Sequence, residues 1–162
     1  MVVFSSDLHL GHNNIHKYRC DRFVSQEEHD TYILDKIASL NKRDTLKILG
    51  DFIFDSPKYK FYIEQLHKMS CRIQIIMGNH DSLLLYKEPK FEIQLPLYSY
   101  KNMWISHCPI HPNELRGRIG NIHGHMHKES LDDPQYFNVN LDVQNYEFVP
   151  LDLIRDTYRD QK

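Results

Sequence analysis

No stretch of this 162-residue chain approaches the roughly 20 consecutive apolar residues that span a bilayer. The opening Met1-Val2-Val3-Phe4 runs directly into Ser5-Ser6-Asp7, without the basic region and cleavage site of a secretory signal. Cysteine is scarce: Cys20, Cys71 and Cys108 are odd in number and have no Cys-x-x-Cys spacing, which argues against a disulfide framework and for a reducing compartment. The expected setting is therefore cytoplasmic, with no membrane partner. An excess of one charge is also missing, since 20 Lys and Arg against 22 Asp and Glu leave a net −2 and a pI near 6.6. Such a balance gives no global attraction to polyanions, so extended nucleic-acid binding is not expected. Repeats, low-complexity tracts and Gly/Ser linkers are absent, and the length suits one domain spanning 1–162 with a sizeable core.

What is present is an alternation of short apolar runs and helical periods. Met1–Phe4, Thr45–Leu49, Arg72–Met77, Met103–Ser106 and Ile119–Ile122 read as strands. Phe137, Val139, Leu141 and Val143 alternate as on a half-buried strand. Ser25 with Glu28 three residues later predicts a capping box, followed by Ile33, Ile37 and Leu40 at helical spacing. Ser56-Pro57 predicts a second helix start, with Tyr59, Tyr62, Ile63 and Leu66 on one face, where core packing outweighs base stacking for the aromatics. Helices alternating with strands in the first half and closely spaced strands in the second predict a layered α/β sandwich.

Most of these runs end in residues that bind metals: Asp7-Leu8-His9, Gly50-Asp51, Gly78-Asn79-His80-Asp81, His107 and Gly124-His125-Met126-His127. In an extended segment, period-two spacing puts Asp7 and His9 on one side, and likewise His125 and His127. Asp51 carries two oxygens that can bridge two cations about 3.5–4 Å apart. Asn79 offers a neutral oxygen donor, His107 completes a second site, and the adjacent His80 is placed to act on a substrate. A structural zinc site is the competing reading of Gly-His-Met-His, but structural zinc prefers four closed Cys/His ligands and none of the cysteines cluster there. The pattern points to a two-metal hydrolase.

In order and spacing, these five blocks resemble the calcineurin-like metallophosphoesterases, and Ser5–His12 with Asn14-Ile15 and Arg22-Phe23 is similar to a short single-domain subgroup with phage and bacterial members. The resemblance implies a four-layer αββα sandwich of two mixed β-sheets flanked by helices. It implies two divalent ions, one held by Asp7, His9, Asp51 and His127 and the other by Asp51, Asn79, His107 and His125. Manganese is the expected ion, with iron, zinc, nickel or magnesium as alternatives. The implied chemistry is hydrolysis of a phosphodiester or phosphomonoester, the diester slightly favoured, by a hydroxide bridging the ions, with His80 as general acid. The substrate class is a small phosphoester or nucleotide, contacted by Asn79 and by His12 and Arg22, each of which lies near a matched motif, the guanidinium of Arg22 suiting phosphate geometry. A non-catalytic metal-binding scaffold on the same fold is the alternative. One departure stands out: many relatives carry Asp three positions after the bridging Asp, where this chain has Phe54, which leaves Asp55 and Asp81 as candidates to orient His80. His123 is expected to be structural or to support His125 and His127 indirectly.

Overall fold

The computed structural model describes residues 1–159. In chain order the elements are β1 (Val2–Ser5), α1 (Ile15–Tyr18), α2 (Gln26–Ala38), β2 (Thr45–Leu49), α3 (Tyr59–His67), β3 (Arg72–Ile76) and β4 (Phe91–Ile93). They continue with β5 (Leu97–Tyr100), β6 (Met103–Ser106), β7 (Asn121–His123), β8 (Tyr136–Asn138), β9 (Val149–Pro150) and α4 (Leu151–Arg159). Two mixed sheets result. The first has the order β4-β3-β2-β1-β9, parallel except for β9, and the second the order β5-β6-β7-β8, parallel except for β5. This is the expected α/β sandwich.

Strand alternation decides which residue faces which layer. On β2, Leu46 and Ile48 join Val3, Ile73 and Ile75 beneath Ile33 and Ile37 of α2 and Ile63 and Leu66 of α3. Leu49, with Phe4 and Ile76, points the other way, against Met103, Ile105 and Ile122 of the second sheet and Ile154 and Tyr158 of α4. Both faces of the central strands are thus covered, which is why those strands read as mostly apolar runs, interrupted on β2 by Lys47 and on β3 by Gln74. Among the described residues, no helix is long and apolar enough to cross a membrane.

Three local expectations are corrected. Ser25 caps α2 by accepting the Glu28 N–H, but the Glu28 carboxylate accepts from Val24 N–H at 2.8 Å, one residue outside a reciprocal box. Ser56 does not cap α3, which begins at Tyr59 after Lys58; Pro57 lies in the turn before it. The Phe137–Val143 alternation is not one strand. β8 ends at Asn138, where Asn138 Oδ1 accepts the Asn140 N–H and Asn140 Oδ1 accepts the Asp142 N–H, both at 2.9 Å. Such side-chain turns replace ladder bonds and redirect the chain.

Candidate metal centre

The loops that leave β1, β2, β3, β6 and β7 meet at one edge of the sandwich. Asp7 N–H donates to Gly50 O at 3.0 Å and His9 N–H to Asp51 O at 2.9 Å, fastening the first two loops together. The Asp7/His9 and His125/His127 pairs do not converge through an extended backbone, as their period-two spacing suggests. Asp7, His9, Asp51, His125 and His127 all have φ between 50° and 68°. Five non-glycine residues in the left-handed region, each after a strand, are a concentration of backbone strain of the kind that accompanies functional sites. Gly124 is required where it stands, because a Cβ there would run into the Ser6 side chain and approach Asp7 Oδ2 to 2.6 Å.

The side chains form two foci that share Asp51. Asp7 Oδ1 lies 3.8 Å from both His9 Nε2 and His127 Nε2. Asp51 Oδ2 stands 4.0 Å from His9 Nε2, while Asp51 Oδ1 stands 3.7 Å from His107 Nε2. His107 Nε2 is in turn 3.1 Å from Asn79 Oδ1 and 3.2 Å from His125 Nδ1. Asp7, His9, Asp51 and His107 form a buried floor, with Asn79, His125 and His127 at the exposed rim.

Two observations show that this donor set suits cations. Asp7 Oδ1 and both ring nitrogens of His9 are buried with no hydrogen-bond partner among the described residues, although folded proteins rarely leave such atoms unsatisfied. His107 Nδ1 donates to Leu49 O at 2.6 Å, so in the neutral ring Nε2 carries a lone pair aimed at the Asn79 oxygen. Two lone pairs at that separation are reconciled by a shared cation. Burial keeps His9 well below the ordinary imidazole range, with repulsion from Arg19 and His127 adding to it, so its nitrogens stay available as donors. Burial pushes the Asp7 carboxyl up, opposed by the Ser6 hydroxyl and His107.

The sequence profile of the calcineurin-like phosphoesterases matches residues 1–162. The chain belongs to this family. It is 35% identical to an uncharacterized protein of Methanocaldococcus jannaschii over 94% of this chain and 88% of that one. It is also 26% identical to the gene 66 protein of Mycobacterium phage D29, over 98% of this chain and 96% of the phage protein. The fold is shared with a protein of unknown function from Aquifex aeolicus, with a TM-score of 0.75 and 24% identity, covering 96% of this chain and 98% of that one.

Around the foci of this calcineurin-like phosphoesterase lies a polar network that no motif announced. Arg19, 1% exposed, places Nε 2.9 Å from Asp142 Oδ1 and Nη2 3.0 Å from Asp142 Oδ2, while Nη2 also donates to the Asp7 carbonyl at 2.7 Å. Asp142 Oδ2 accepts from His127 Nδ1 at 3.0 Å, which turns His127 Nε2 toward Asp7. Burial would raise the Asp142 carboxyl, but hydrogen bonds from His127 and Arg19 and their charges hold it well below the usual carboxylate range. The same contact raises His127. On its far side, Arg19 Nη1 donates to His29 Nε2 at 2.8 Å, and His29 Nδ1 bonds Asp30 Oδ1 at 2.8 Å.

His80 sits at the exposed mouth, its backbone N–H donated to Asp51 Oδ1 at 2.9 Å. Neither Asp55 nor Asp81 holds its ring. Asp81 accepts from the N–H groups of Phe52, Ile53 and Gly78, tying the second loop to the third, and Asp55 is exposed on another cleft. Phe54 stacks on the His80 ring instead, at 5.3 Å and 11°, and meets His12 edge-on at 4.6 Å. A cleft of about 620 Å³ opens here, lined by His9, His12, Ile15, Tyr18, Phe54 and His80 together with Met126 to Glu129. Arg22 does not reach it: α1 and the turn after it carry its guanidinium onto the Tyr32 ring, 5.1 Å from the centroid, and Arg19 is the arginine that lines the cleft. His123 is buried under the site, its Nδ1 donating to Gly124 O at 2.9 Å.

Proposed function

We propose that this chain is a dinuclear-metal phosphoesterase in a single catalytic domain. Asp7, His9, Asp51 and His127 hold one divalent ion, and Asp51, Asn79, His107 and His125 hold the other. The observation that carries this reading is Asp51, whose two carboxylate oxygens face separate clusters, Oδ2 toward His9 and Oδ1 toward His107. When bound, the ion pair supplies Lewis acidity, activating water at neutral pH and offsetting charge on the phosphoryl group.

The chain's own side chains complete the site. His80, outside both clusters and exposed at the cleft mouth, donates its imidazole proton to the leaving oxygen, and Phe54 keeps its ring in plane. His12 and the Asn79 amide contact phosphate oxygens at the cleft edge. The apolar wall of Ile15, Tyr18 and Phe54 gives a second ester group somewhere to lie, which favours a phosphodiester over a monoester. Manganese is the expected ion for a set of mixed nitrogen and oxygen donors.

The test compares bis-p-nitrophenyl phosphate with p-nitrophenyl phosphate, using metal-stripped protein resupplied with manganese. Manganese-dependent diester turnover is the expected result, and monoester-only turnover would make the protein a phosphatase. Two bound ions without turnover of either ester would instead point to a non-catalytic scaffold.

A further inference from the structure

Cys108 is the one cysteine beside the clusters, and it belongs to neither ligand set above. Its sulfur lies within 4.8 Å of ligand atoms of both His107 and His125. It directly follows His107, and Ser106 Oγ donates to the Cys108 carbonyl at 2.7 Å, which holds the backbone of this turn beside the second focus. Cys108 is exposed, so its side chain can rotate, whereas Cys71 is buried in the helix-facing core, away from both foci. Thiolate and imidazole donors in one zinc shell stand about 2.3 and 2.0 Å from the ion, hence roughly 3.5 Å from each other at a tetrahedral angle. A turn of the exposed Cys108 side chain closes the remaining gap, at most about 1.3 Å.

We infer that Cys108 is a soft fifth donor to the second ion, beside Asp51, Asn79, His107 and His125. The inference rests on the dinuclear reading. On ligation the thiol loses its proton to solvent and the sulfur lone pair forms the bond to the cation; nothing is oxidised or reduced. A thiolate shifts preference from manganese toward zinc, cobalt or ferrous iron. The focus around Asp7, His9 and His127 has only nitrogen and oxygen donors, so the pair of ions is a mixed one, soft at His107 and hard at His127.

The experiment is a cobalt(II) titration of metal-stripped protein, following near-ultraviolet thiolate-to-cobalt charge transfer. One of two bound equivalents should develop the band. Cys108→Ser should abolish it while still binding two cobalt ions, and should lower the preference of that site for zinc over manganese by tenfold or more; Cys20→Ser should leave both unchanged. Two bound cobalt ions without the band, or a band that survives Cys108→Ser, would overturn the assignment of Cys108 and leave the dinuclear reading standing. Failure to bind two ions would overturn both.

Discussion

Replacing Asp142 by Asn tests the network beneath the site, because one side chain there serves two partners. Its carboxylate is 3% exposed and bonds both His127 Nδ1 and the fork of Arg19. Asn keeps the shape and one acceptor oxygen but loses the charge. Groups that orient a metal-binding histidine are typically worth 10- to 100-fold in metal affinity, about 1.4–2.7 kcal/mol. Arg19 is left buried without its counter-charge, and breaking a buried pair by removing one partner costs about 3–5 kcal/mol. Against a total stability of about 5–15 kcal/mol, the metal-free variant should remain folded but unfold at distinctly lower urea. Calorimetric metal titration of the folded variant should then show one ion weakened 10- to 100-fold, the one near His127, and the other unchanged. Acid stability adds a second signature. The native Asp142 carboxyl titrates below its unfolded value, so its contribution is complete above about pH 4 and is lost as pH falls further. Asp142→Asn should flatten that limb of the stability curve. Wild-type affinity for both ions would refute the orienting role, and equal weakening of both would mean general distortion of the loops.

His80→Ala should lower diester turnover by about 10²–10⁴, the usual contribution of a positioned proton donor, while binding both ions with unchanged stoichiometry; full activity would remove His80 from its role as acid. Lys47 tests the interior between the sheets: it is 5% exposed, its Nζ donates to Tyr98 Oη at 3.1 Å and lies 4.5 Å from the Tyr100 ring centroid. Burial lowers its ammonium to about 8, against a weaker raising by Glu92. The unfolded chain thus holds a proton that the native one releases between about pH 8 and 10.4, so stability rises with pH across that window, by on the order of 3 kcal/mol in full. Lys47→Met should abolish this rise in urea melts at pH 8, 9 and 10, and a parallel slope in both proteins would contradict it.

The sandwich and the centre were legible to different degrees, for physical reasons. Strands buried on both faces leave short, mostly apolar runs, and β1, β2, β3 and β6 were readable for that reason despite Lys47 on β2 and Gln74 on β3. The motifs were readable because each follows such a run, and parallel strands deliver their carboxyl ends to the same edge. How the loops turn was not legible, since Asp7, His9, Asp51, His125 and His127 adopt left-handed backbone that residue type does not signal. The shell behind the ligands was hidden for another reason. Arg19 and Asp142 are 123 positions apart and neither lies in a motif; Arg22 was singled out for its nearness in sequence to a matched block, whereas the turn after α1 brings Arg19 to the cleft. Asn138 and Asn140, if read as turn formers rather than as the outward face of a strand, would have pointed toward Asp142. Residues that position others are chosen by where the chain crosses itself, so their signal lies in tertiary contact rather than in local spacing. Asp142→Asn therefore tests more of this fold than replacement of any single ligand.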